Sequence, residues 1–138
     1  MKQENIAAIL ANKYHDGQLY GEENYHMHLY SVAIRVDLAG GDDEQLAIAW
    51  LHDILEDTDC TVETLRENGL SSRVISAVIA LTKVQGESYE EYISKVRDNP
   101  DALFVKKMDT LDNLTNSLIE SNSYRIKKYA KQLLLLEE

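Results

Sequence analysis

The sequence predicts an all-α fold, one compact helical domain covering residues 1–138. Apolar residues recur at three- and four-residue spacing almost throughout, and no stretch of several residues shows the period of two that marks a half-buried strand. A length of 138 residues suits one folded unit with one core, and 44% apolar with 28% charged residues is the composition of an ordinary globular chain.

Taken in order, a first helix is expected over about residues 3–14, then a loop from His15 to Asn24 that Gly17 and Gly21 keep non-helical. A second helix runs from Tyr25 to Ala39 and stops at Gly40-Gly41, where glycine supplies the left-handed C-cap conformation. Asp42 or Asp43 caps a third helix that continues through Asp57. Leu46, Ala47, Ala49, Trp50, Leu51, Ile54 and Leu55 cover most of its circumference, which makes it the buried centre. Thr61 caps a short helix ending near Gly69, and Ser71 or Ser72 caps the next, which carries Val74, Ile75, Val78, Ile79 and Leu81. Ser88 and Glu91 form a capping box for a helix ending at Asp98 or Asn99, where Pro100 opens another. That long helix carries Leu103, Phe104, Val105, Met108, Leu111, Leu114 and Leu118, and after a break at Asn122-Ser123 a last helix runs to the C-terminus. Its four consecutive leucines close the core or form a homodimer contact.

The balance of 24 acidic against 14 basic residues gives a formal charge of −10, which repels phosphate backbones and anionic lipid surfaces. Nucleic-acid and membrane partners are therefore not expected. A small phosphorylated ligand is compatible, because a bound divalent cation and a few lysines can invert the field inside one pocket. Cys60 is the single cysteine, so a disulfide framework and a thiolate zinc site are both excluded within the chain, and a reducing cytoplasm fits. The start, MKQENIAAILANKYHDG, has no long apolar signal region, and no run approaches the roughly 20 apolar residues that span a bilayer.

Polar residues at the end of the most apolar helix require an explanation. His52 and Asp53 are adjacent there, where an unpaired carboxylate costs several kcal/mol in desolvation. A divalent cation held by imidazole and carboxylate compensates both, and the alternative is a hydrogen-bonded core pair. On a continuous helix Glu56 lies one turn beyond His52 and Asp57 one turn beyond Asp53, giving a polar corner that a cation or solvent must neutralise. His28 sits on the second helix two positions after His26, so one of the two points inward. On the long helix Asp109 and Asn113 are four apart and edge an apolar stripe. Asp112 lies on another face, behind the site or in solvent, and Lys106 stands three residues before Asp109.

The order H…HD…D, with HDILEDTD and VKKMDTLDNL, resembles the HD-domain metal-dependent phosphohydrolases over most of the chain. More narrowly it resembles the small stand-alone proteins of the alarmone-hydrolase branch, where an H-x-G-Q loop precedes the first metal histidine, HDxxEDT follows and a VKxxDxxxN helix closes the site. Here these elements are His15-Asp16-Gly17-Gln18, His28, His52 to Thr58, and Val105 to Asn113. The resemblance implies an HD helical bundle in which His28, His52, Asp53 and Asp109 bind a divalent metal, manganese in this branch. It also implies that Glu56 and Asp57 serve as the acid/base and water-orienting pair and that Asn113 contacts the substrate.

The implied activity is hydrolysis of a phosphorylated nucleotide, with (p)ppGpp losing its 3′-pyrophosphate as the leading case. The alternatives are a nucleotide phosphatase or phosphodiesterase, and a non-catalytic nucleotide-sensing module. A metal supplies the activated water and a carboxylate the proton acceptor, so no nucleophilic Ser or Cys is required. Where the branch has an arginine packed on guanine this chain has Leu19-Tyr20, and Leu29 rather than proline follows His28. Tyr20 is expected to stack on a base, and Lys83, Tyr89 and Lys106 are the candidate phosphate contacts.

Overall fold

The structure, a computed structural model, describes residues 1–137. In chain order these form α1 (Gln3–Tyr14), β1 (Leu19–Tyr20), β2 (Glu23–Asn24), α2 (Tyr25–Leu38), α3 (Asp43–Leu51) and α4 (Ile54–Asp57). There follow α5 (Val62–Glu67), α6 (Ser72–Ala80), α7 (Tyr89–Arg97), α8 (Pro100–Ile119) and α9 (Ser123–Glu137). The all-helical expectation holds, with one small exception.

Local chemistry explains most boundaries. The Asp42 side chain accepts from the Gln45 amide while the Gln45 side chain returns to the Asp42 amide, starting α3 with a capping box. Ser88 and Glu91 do the same for α7, and Thr61 and Ser71 cap α5 and α6 through their hydroxyls. Asn99 caps α8, with Pro100 in its first turn where a missing N–H costs nothing. Gly40, at φ +88°, takes the left-handed turn that ends α2.

Two expectations are corrected. The stretch from His15 to Asn24 contains an antiparallel hairpin, pairing Leu19 with Asn24 and Tyr20 with Glu23 around Gly21 at φ +62°. Strands of two residues are too short for a period of two to register in sequence. The third helix is also interrupted: α3 ends at Leu51, Asp53 adopts φ −108° and ψ 0°, and α4 begins at Ile54. The His52 ring bonds the Ala49 carbonyl at 2.7 Å, a group a continuous helix would bond by its backbone.

α3 sits at the centre, packed against α1, α2, α6 and α8. Ala47, Ile48, Ala49 and Leu51 are fully buried against Leu29, Val32 and Val36 of α2, Val74 and Val78 of α6, and Val105 of α8. Each large side chain contributes roughly 1.5–3 kcal/mol on burial. Of the leucine run, Leu136 joins the core whereas Leu134 is exposed. Among the described residues no helix is long and apolar enough to cross a membrane. The packing brings one end of α2, the α3–α4 break and the middle of α8 together.

Candidate functional site

At that junction His28, His52 and Asp109 place one nitrogen or oxygen each within 4.8 Å of one another, all buried. The Nε2 atom of His28 lies 3.1 Å from Asp109 Oδ1, and the Nε2 atom of His52 lies 3.1 Å from Asp53 Oδ2 and 3.4 Å from Asp109 Oδ1. Ligands at about 2.0–2.2 Å from one ion and at right angles stand about 3 Å apart, so these separations are those of a coordination shell.

The other nitrogen of each ring is already committed. His28 Nδ1 donates to Asp112 Oδ2 at 2.9 Å and His52 Nδ1 donates to the Ala49 carbonyl, which turns both Nε2 atoms into the cluster. His52 Nε2 is buried, and although carboxylate oxygens of Asp53 and Asp109 stand 3.1 and 3.4 Å away, neither is aligned for a hydrogen bond, an arrangement that native interiors rarely tolerate. An ion accepting its lone pair resolves it, and two imidazoles with two carboxylates suit a first-row divalent metal. The cluster could therefore hold a divalent cation.

No family model matches the sequence. Among curated proteins, the guanosine-3′,5′-bis(diphosphate) 3′-pyrophosphohydrolase of Aquifex aeolicus is 34% identical over 118 residues, 80% of this chain. The matched region is 17% of that much longer relative. Among solved structures, a metazoan ortholog of SpoT, described as hydrolysing ppGpp and acting in starvation responses, superposes with a TM-score of 0.80 over 97% of this chain and 85% of its own. At 22% identity that likeness speaks for the fold. Over the matched region the chain is similar to the Aquifex pyrophosphohydrolase, and it shares the fold of the SpoT ortholog.

Within the cluster the imidazoles and carboxylates shift one another's protonation. Burial alone would lower both imidazoles, but Asp53 and Asp109 raise His52 well above its ordinary 6.5, and hydrogen bonds to Asp109 and Asp112 raise His28. Burial likewise opposes the charge on Asp109, and His52 and then Lys106 outweigh it, holding that carboxyl well below the usual range. Lys106, which lies over the Tyr92 ring, bonds Asp109 Oδ2 at 3.3 Å; burial opposes its charge and Asp109 restores it.

The remaining HD-motif residues divide. Asp57 lies at the exposed edge, where burial of its carboxyl and then the charges of Asp53 and Glu56 push it up to about 6. Glu56 leans the other way and accepts the Lys83 backbone amide at 2.8 Å, so the helix break separates the face-sharing expected of a continuous helix. Asn113 donates to Asp109 Oδ1 at 3.2 Å and accepts from the Tyr20 hydroxyl. The Tyr20 ring stacks on His28, with centroids 4.3 Å apart and planes 7° from parallel, so an imidazole of the cluster takes one face that was expected to meet a base. Lys83 is exposed and meets Glu56 only through its backbone. Tyr89 is not brought to the cluster: α7 carries it to the α9 side, where its hydroxyl accepts from Gln132 Nε2 at 3.0 Å.

Tyr25, Ser31 and Arg35 were not singled out by sequence, and of the two places expected for Asp112 it takes the one behind the site. Tyr25 is buried and donates its hydroxyl to Asp53. Asp112 is buried behind His28, accepting from Ser31 Oγ at 2.5 Å and Arg35 Nε at 3.1 Å. Tyr25, His28, Ser31 and Arg35 follow one another at three- and four-residue spacing on one face of α2, a periodic signal available in the sequence.

Proposed function

We infer that the protein is a metal-dependent phosphohydrolase of phosphorylated nucleotides, and that it removes the 3′-pyrophosphate of ppGpp. One observation carries the reading: His28, His52 and Asp109 converge at ligand spacing with the buried His52 Nε2 unpartnered. The name of the Aquifex relative supports the substrate, and its 34% identity over most of this chain supports the transfer.

In this reading His28, His52, Asp53 and Asp109 hold the ion, and manganese suits the mixed nitrogen and oxygen set. A bound divalent ion supplies a water of lowered pKa and neutralises charge on the phosphoryl oxygens. Asp57, with a carboxyl near pH 6, accepts a proton from the attacking water, and Glu56, fixed by the Lys83 amide, orients that water. Lys106 keeps its charge beside Asp109 and faces the developing phosphate charge. Asn113 has one amide N–H beyond its bond to Asp109, available for the substrate.

A cavity of about 660 Å³ beside His28 is lined by Tyr20, Glu22, Glu23, Asp112 and Glu120, with no lysine or arginine in its wall. Carboxylates accept hydrogen bonds, so this wall suits the N–H edge of a base rather than a phosphate, leaving the phosphates on the Lys106 side. The test is to incubate chelator-stripped and Mn²⁺-loaded protein with ppGpp and a nucleotide panel, and to weigh the products. GDP with pyrophosphate, formed only with metal, is the expected result. Orthophosphate from a simple nucleotide points to a phosphatase, and no turnover of any nucleotide contradicts the reading.

A further inference from the structure

A second cavity, of about 460 Å³, lies between α7 and α9 and shares no lining residue with the metal cluster. That volume is in the range of small-molecule sites. Its apolar wall is Ile93 and Leu135, with the ring of Tyr89, which is 39% exposed. Its charge is opposite to that of the molecule. Arg97, Lys128 and Lys131 line it against the single carboxylate of Glu90, in a chain whose net charge is −10.

Half of the fourteen cations are ion-paired; Arg73, for example, reaches Asp42, Glu44 and Asp101, and Lys95 reaches Glu87. Among the described residues, Arg97, Lys128 and Lys131 have no carboxylate partner, and the Lys128 ammonium lies over the Tyr129 ring. Three exposed cations lining one concave surface with a single carboxylate give it a positive potential that favours an anion.

The floor supplies an independent sign. Gln132 is 8% exposed and its amide is held between Thr110 Oγ1 at 2.8 Å and the Tyr89 hydroxyl at 3.0 Å. Whichever way the amide is turned, only one of its two N–H groups has a protein acceptor, so Gln132, in the cavity lining, keeps a spare donor. A ring wall, a spare amide donor and three free cations together match a flat aromatic body bearing an anionic group.

We propose that the α7–α9 cavity binds a small aromatic anion, of the size and charge of a nucleoside monophosphate, at a site separate from the metal centre. The anion meets Arg97, Lys128 and Lys131, the ring packs on Tyr89 and the apolar wall, and Gln132 donates to it. Tyr89, a candidate phosphate contact by sequence, serves this second site rather than the first.

The test is an amide-resolved NMR titration of the chelator-treated protein with AMP and with GMP. Saturable shifts are expected in residues 89–97 and 128–135, with a dissociation constant of about 0.1–1 mM. The charge reversal Arg97→Glu with Lys131→Glu, both at exposed positions, should weaken binding at least about tenfold. Ser94→Trp, which fills the cavity without touching its charges, should weaken it as well, whereas Asp109→Asn should leave it unchanged. Shifts confined to the surroundings of His28, His52 and Asp109 would overturn the proposal. So would undiminished binding by the charge-reversed or filled variants, or equally tight binding of inorganic pyrophosphate, which has no ring. If raising the protein concentration alone reproduces the shifts, the cavity takes a second copy of the chain and the proposal is wrong.

Discussion

Removing Asp112 should loosen the metal while leaving every proposed ligand in place. The Asp112 carboxylate receives His28 Nδ1 at 2.9 Å, and the two side chains are only 4% and 2% exposed. A buried hydrogen bond to a charged group contributes about 1.5–3 kcal/mol net. At about 1.4 kcal/mol per factor of ten, its loss corresponds to roughly 10–100-fold in metal affinity. Asp112→Ala removes the acceptor and the charge and should reach that range. Asp112→Asn keeps an oxygen for Nδ1 and loses only the charge, so it should fall between alanine and wild type. Arg35, 31% exposed, is hydrated once freed, so its lost ion pair adds at most about 1 kcal/mol to destabilisation. Competition for Mn²⁺ against a fluorescent chelator measures the affinities, with circular dichroism to verify folding. A folded alanine variant that binds Mn²⁺ with wild-type affinity would refute the argument that Asp112 aims His28.

Two further outcomes follow from the geometry. Burial lowers His52 but Asp53 and Asp109 raise it well above 6.5, so the stability its proton contributes is complete below pH 6.5 and is lost as pH rises through the raised value. The ion-free protein should therefore melt earlier as pH climbs above 6.5 while metal affinity increases, which calorimetry with chelator and with Mn²⁺ detects as a widening gap; a constant gap contradicts the assignment. At Gly41 an added Cβ would lie 2.4 Å from Val36 Cγ1 and 2.9 Å from the Val36 carbonyl oxygen, so Gly41→Ala should cost about 1–3 kcal/mol in urea unfolding, and no loss would mean the α2–α3 corner is looser than described.

The helices were legible because their ends carry residues with one main use: Ser88 with Glu91, Asn99 before Pro100, and Gly40 after α2. The cluster of His28, His52 and Asp109 was legible as an ordered set, since His28 and Asp109 are individually unremarkable and gain meaning only around HDILEDTD. What escaped depended on chain path. The break at His52-Asp53 follows from a ring bonding a carbonyl three residues back, which no apolar periodicity reports. Tyr89 and Lys106 looked equivalent as phosphate contacts, and only the packing of α7 on α9 sends Tyr89 away while α8 keeps Lys106 at Asp109. Asn113 and Tyr20 turn out to bond each other, a contact across 93 residues that spacing cannot supply.

The most direct test of the account is metal stoichiometry by native mass spectrometry, comparing the wild-type chain with His52→Ala after chelator treatment and titration with Mn²⁺. One ion per wild-type chain at low micromolar metal, and none in the folded variant under the same conditions, is the predicted result. A wild-type chain that takes up no ion, or a variant that binds one just as tightly, would contradict the proposed centre.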